Sequence, residues 1–196
     1  MKLMDLCANL VPLLGVPMSE FTELARSLKE GSSHFDEASE ANRLHPEILK
    51  GRPGPGGGVV ADPFRAAFML AALMINGPRR DSAKNTWEVW HLNQEGSILG
   101  GWGESWQPTI TRCPLTGMHL FGDAFKAILA DEDLASRVKE VRIGSNGRAE
   151  IWFDDDAVSR FGVHQTLNRP GRYLHRVAVL DGFVVHGVCQ LLKRES

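Results

Sequence analysis

The chain has 196 residues, 43% hydrophobic and 23% charged, with a formal net charge of −2. That is enough chain for an ample core, and the balance excludes a grossly basic nucleic-acid coat. No apolar run reaches the roughly 18 residues of a membrane span, and the N-terminus lacks the basic-then-apolar plan of a signal peptide. Three scattered cysteines, Cys7, Cys113 and Cys189, argue against a disulfide framework and against zinc-ligand spacing, so a cytoplasmic location is expected.

The small net charge hides a segregation. Residues 41–84 hold seven basic against three acidic side chains, and residues 163–196 hold five against two. Residues 1–40, with three basic against seven acidic, run the other way. Such asymmetry suits an anionic partner.

In chain order, residues 2–14 place Leu3, Leu6, Leu10, Leu13 and Leu14 at helical spacing, with Pro12 as a kink or break. Gly15-Val16 makes a turn, and Pro17 opens a second helix through about Glu30, its apolar face formed by Phe21, Leu24, Ala25 and Leu28. With Gly15 as the turn glycine, Leu10, Leu14, Val16, Phe21 and Leu24 fall where one short helix locks across another. On these positions residues 7–26 resemble the helix-turn-helix of bacterial and phage DNA-binding proteins. The resemblance implies that Ser19, Thr22, Glu23 and Arg26 face the major groove. Two features depart from the pattern: Pro12 inside the first helix, and an acidic first turn on the second. A plain helical hairpin feeding the core is the competing interpretation.

Residues 31–45 are polar, a loop or a short helix. Lys50-Gly51-Arg52-Pro53 resembles the core of an AT-hook, whose glycine admits the backbone to a narrow minor groove while its cations meet the groove's negative potential. The glycines and proline of residues 54–58 also fit a flexible linker. They are not a phosphate loop, because no Gly-Lys-Ser/Thr follows and Asp62 occupies the helix N-terminus an anion would need.

Asp62 as N-cap and Pro63 as first residue open a helix over 63–76, apolar nearly all round and therefore buried. Arg79, Arg80 and Lys84 follow at once; like Lys50 and Arg52, they are expected on DNA phosphates or in the minor groove. Asp81 or Ser82 caps a helix through about Asn93, on which Trp87 and Trp90 share a face toward the 63–76 helix. Residues 94–112 form a glycine- and tryptophan-rich loop. Trp102 and Trp106 there either stack on bases, grip a peptide, or staple the loop to the core.

From Cys113 the texture is α/β. Phe121–Ala130 is amphipathic, and Asp131 caps a further turn through Arg137. Val141 and Ile143, Asn146-Gly147, then Ala149, Ile151 and Phe153 spell a β-hairpin. Asp154–Asp156 reads as a turn rather than a metal site, since consecutive carboxylates cannot all face one ion. A short strand over 157–161, a loop over 163–172, a strand over 173–180 and a helix opened by Asp181-Gly182 complete the chain.

The histidines are scattered, with no HExxH and no GxSxG elbow, so no catalytic residue, cofactor or metal is expected. The fold class is α+β: a helical region 1–93 carrying the basic Gly/Pro loop at 50–58, the 94–112 loop, and an α/β region 113–196 with a three- or four-stranded antiparallel sheet. The plan looks like small proteins of prophages and mobile elements. The leading expectation is a transcriptional regulator that binds double-stranded DNA, a class compatible with a homodimer. The alternative is a phage-type protein–protein interaction module, an inhibitor or assembly factor, using Trp102 and Trp106 with the acidic surface of 131–156.

Overall fold

The computed structural model describes residues 1–34, 58–75, 78–95, 111–145, 147–162 and 176–194, without the side chains of 31–34. Among them are seven α-helices and one four-stranded antiparallel sheet, an α+β architecture. No described helix is long and apolar enough to cross a membrane.

Helix α1 (Leu3–Leu14) buries Leu3, Leu6, Cys7 and Leu10. Pro12 lies within the continuous helix and does not break it. Proline deprives only the carbonyl four residues back, here that of Ala8, and both residues face solvent, where water can take the bond. Gly15 ends the helix at φ +64°, its N–H bonded to Val11 O at 3.0 Å. After Val16 and Pro17, α2 (Met18–His34) begins; it runs one turn beyond the expected Glu30 and buries Phe21, Leu24 and Leu28.

Helix α3 (Pro63–Met74) is the central post. Asp62 accepts the Arg65 N–H at 2.7 Å, Pro63 leads the helix, and Ala66 to Ala72 are all buried. Four alanines keep its surface low, so α2, a fourth helix α4 (Ser82–Trp90) and a fifth, α5 (Phe121–Ala130), all pack against it. The helix ends at Met74 rather than residue 76, the Ile75 N–H still bonding Ala71 O at 3.1 Å, and the expected glycine cap lies outside the described residues.

A 3₁₀ turn (Arg79–Asp81) leads into α4. That helix ends at Trp90, not Asn93, because Asn93 and Gln94 pair in extended fashion with Leu120 and Phe161. Trp90 packs as expected, its ring centroid 4.9 Å from that of Phe64 and 5.7 Å from that of Phe68. Trp87, three residues earlier on the same side, is half-buried, packed against the same core and set beside His91, with 3.8 Å between centroids.

In the second half, Asp131 accepts the N–H groups of Asp133 and Leu134 and starts the short α6 (Glu132–Ser136). Strands β1 (Val138–Gly144), β2 (Arg148–Phe153), β3 (Val158–Phe161) and β4 (Val177–Asp181) lie in the order β3-β2-β1-β4. β4 begins at Val177; the expected start at 173 lies outside the described residues. Alternation sends Val141, Ile143, Ala149, Ile151, Phe153, Phe161 and Leu180 inward. There they meet α5, through Phe121 against Phe161 at 5.6 Å, and the last helix α7 (Gly182–Lys193). One buried cluster runs from α1 through α3 to the sheet, so the helical and α/β regions share a core.

Candidate nucleic-acid interface

The α1–α2 unit is built as a locked pair. Leu10, Phe21 and Leu24 are buried, and Leu14 and Val16 are partly buried, so every position of the expected apolar pattern packs inward. The three-residue connection at Gly15-Val16-Pro17 needs one left-handed residue, and glycine adopts that conformation without the Cβ penalty. Turning Phe21 and Leu24 inward leaves Ser19, Thr22, Glu23 and Arg26 exposed along the other side of α2. Arg26 forms no ion pair with a described residue. Thr22 has its hydroxyl proton engaged at home, donating to Met18 O at 3.0 Å, so toward a ligand it offers an acceptor and a methyl group.

The 3₁₀ turn docks on α2. Arg79 Nη2 stands 3.3 Å from Glu20 Oε2, and the Arg79 carbonyl accepts from Ser27 Oγ. Two contacts, one to each end of the stretch Glu20–Ser27, therefore fix this turn against α2. Arg80 is 85% exposed, with Asp81 at 3.6 Å, and Lys84 reaches Glu88 at 3.9 Å. The segregated charge of the sequence is thus locally balanced: each of these three cations has a carboxylate neighbour. The Arg79–Glu20 pair is half-buried, whereas those of Arg80 and Lys84 are solvent-exposed, a class worth about 0–1 kcal/mol each, so Arg80 and Lys84 can leave their carboxylates at little cost.

Lys50, Arg52, Trp102 and Trp106 lie outside the described residues. Of the nucleic-acid set, Ser19, Thr22, Glu23 and Arg26 line the exposed side of α2, Arg79 docks on that helix through Glu20 and Ser27, and Arg80 and Lys84 lie on the 3₁₀ turn and on α4. The contact between α2 and the 3₁₀ turn had no local sequence signal, because Glu20 and Arg79 are 59 residues apart. For the alternative surface, Asp131, Asp133 and Asp154–Asp156 are all exposed, with Lys139 at 3.1 Å from Asp156.

Elsewhere, a cleft of about 710 Å³ opens between α4 and the hairpin end of the sheet, with Val89 and Ile143 in its wall and Asn85, Glu88, Ser145 and Arg176 as its polar groups. No described histidine or cysteine lines it, and Ser145 Oγ accepts the Arg176 backbone N–H at 3.1 Å. It assembles no nucleophile–base pair among the described residues. The three thiols are buried; burial pushes Cys7 up to about 12 and raises Cys189, so neither offers a thiolate at neutral pH. Ser159 Oγ donates to Cys113 Sγ at 3.1 Å within the core. The turn Asp154–Asp156 has Asp156 at φ +59°, with Asp155 accepting the Ala157 N–H. No group of three metal-ligating side chains converges among the described residues.

Comparison with protein-family models, with curated proteins and with solved structures finds no match to the chain.

Proposed function

We propose that the protein binds double-stranded DNA and acts as a transcriptional regulator of the kind carried by phages and mobile elements. In this proposal α2 enters the major groove and the Arg79–Asp81 turn grips the flanking backbone. The observation that carries it is the pairing of Arg79 with Glu20. It joins a cationic turn to the first turn of a helix whose outward row is exposed, and it offsets the acidic character that would otherwise repel phosphate there. Arg26 supplies a forked donor for guanine, Glu23 an acceptor for the cytosine amino group, and Ser19 and Thr22 shorter contacts. Arg79, Arg80 and Lys84 take phosphates, and Lys50 and Arg52, on sequence grounds, extend the contact toward the minor groove.

Fluorescence anisotropy with a random duplex over a salt series tests this. Each phosphate contact contributes about 0.9 to the slope of log K against log salt. Neutralising Arg79, Arg80 and Lys84 should therefore flatten the slope by roughly 3, with affinity falling on every sequence alike. Glu23→Gln should leave the slope unchanged and alter sequence preference. Undiminished affinity after neutralising Lys50, Arg52, Arg79, Arg80 and Lys84 together would refute the proposal.

A further inference from the structure

The two edges of the sheet are treated differently. Along β3, residues 93–95 cover the edge: Glu95 N–H bonds Arg160 O at 2.6 Å and Gly162 N–H bonds Asn93 O at 2.8 Å. β4, the other edge, has no such cover among the described residues. Arg176 O accepts from Ser145 N at 2.9 Å, so by antiparallel alternation the even-numbered residues of β4 bond to β1. The N–H and C=O groups of Val177 and Val179 point the other way, away from the sheet. Their side chains are 54% and 55% exposed on its outer face, and Phe183, just past the strand, is 71% exposed. Soluble proteins usually guard such an edge with lysine, proline or a bulge. Here the outward-facing backbone belongs to two valines.

We propose that β4 pairs antiparallel with β4 of a second copy of this chain, joining the two sheets into one of eight strands across a two-fold axis. The strand is complementary to itself. With Val177 opposite Val179 of the second copy, the four free backbone groups on each side find partners, and four valines cluster on the outer face. The sequence Arg176-Val-Ala-Val-Leu-Asp181 carries a cation at one end and an anion at the other. Antiparallel self-pairing sets each Arg176 beside the end that holds Asp181 of the other copy, whereas a parallel arrangement would set like charges together. A two-fold interface of this type is isologous and closes at the dimer. The pairing does not depend on the DNA proposal.

Sedimentation of the full chain from about 1 to about 100 µM, with residue-resolved amide exchange at both ends of that range, tests it. The expected result is a reversible dimer in which the Val177 and Val179 amides gain protection as concentration rises. Val179→Lys should weaken the dimer by about tenfold or more, since a lysine at a sheet edge opposes pairing, while circular dichroism shows the fold retained. A chain that stays monomeric at the upper concentration overturns the proposal, as does a dimer in which those two amides exchange as in the monomer. If Val179→Lys fails to fold, the amide measurement on the unaltered chain decides alone.

Discussion

Gly122→Ala sets two known effects against each other at one position. Gly122 is the second residue of α5 and abuts the indole of Trp90 on α4. Alanine is favoured over glycine by about 1 kcal/mol in a helix interior, the upper bound for this first-turn position. An ideal Cβ at this site, however, would stand 1.9 Å from Trp90 Cδ2 and 2.1 Å from Cε2, about half a comfortable carbon–carbon separation of ~3.5–4.0 Å. Relief requires the ring or the helix to move by roughly 1.5–2 Å. Trp90 is 4% exposed and packed against Phe64 and Phe68 of α3, which restricts its movement away from α5. Overpacking of this kind costs about 1–3 kcal/mol or more, and a shift that large belongs at or above the top of the range. The expected net loss is about 2 kcal/mol after the helix gain, a fall in Tm of roughly 4–8 °C for a chain of this length. Urea denaturation followed by far-UV circular dichroism measures it. In a Trp90→Leu background the clash is gone, and the same substitution should become neutral or stabilising by up to about 1 kcal/mol. A rise in stability from Gly122→Ala alone, or an equal effect in both backgrounds, would refute the packing account.

Two other perturbations separate backbone from charge. Gly15→Ala adds a Cβ that meets nothing within 4 Å but sits at φ +64°, so its cost is conformational, about 1–2 kcal/mol; Gly15→Asn should lose less, and equal stability of all three proteins in urea would contradict it. Glu132 is held below its ordinary 4.5 first by the hydrogen bond from Lys193, with Gln190 assisting, and Lys193 is in turn held above 10.5 by Glu132. A depressed carboxyl stabilises above its unfolded value and loses that contribution as pH falls; a raised lysine stabilises below its unfolded value and loses it as pH rises. The stability difference between the unaltered chain and Glu132→Gln should therefore stay level from about pH 5 to 10 and shrink on both sides. A difference that does not vary with pH would count against the link between α6 and α7.

Local chemistry made much of the fold legible in the sequence. Asp62-Pro63 and Asp131 announce helix starts because an N-cap acts within its own first turn. The β1–β2 hairpin follows from strict alternation into Asn146-Gly147, with Gly147 at φ +73°. What escaped notice is set by distant partners. α4 stops early because Leu120 and Phe161 claim Asn93 and Gln94 in extended form, and a helical pattern carries no warning of that. In the candidate interface, the exposure of Ser19, Thr22, Glu23 and Arg26 was readable from the inward spacing of Phe21 and Leu24. The neutralising partner of Glu20 was not, since it arrives on the 3₁₀ turn.

The strand order also bears on how the chain is made. β1 and β2 are neighbours in sequence and can zip together as soon as they leave the ribosome, yet β4 and α7, which flank β1 and cover its inner face, are near the end of the chain. At ordinary translation rates the nascent hairpin waits on the order of two to ten seconds for them. Throughout that interval Val141 and Ile143 lack their final cover and one side of β1 is open to strangers. Slow codons placed between β2 and β4 would lengthen this vulnerable period, and chaperone demand during synthesis should rise with it.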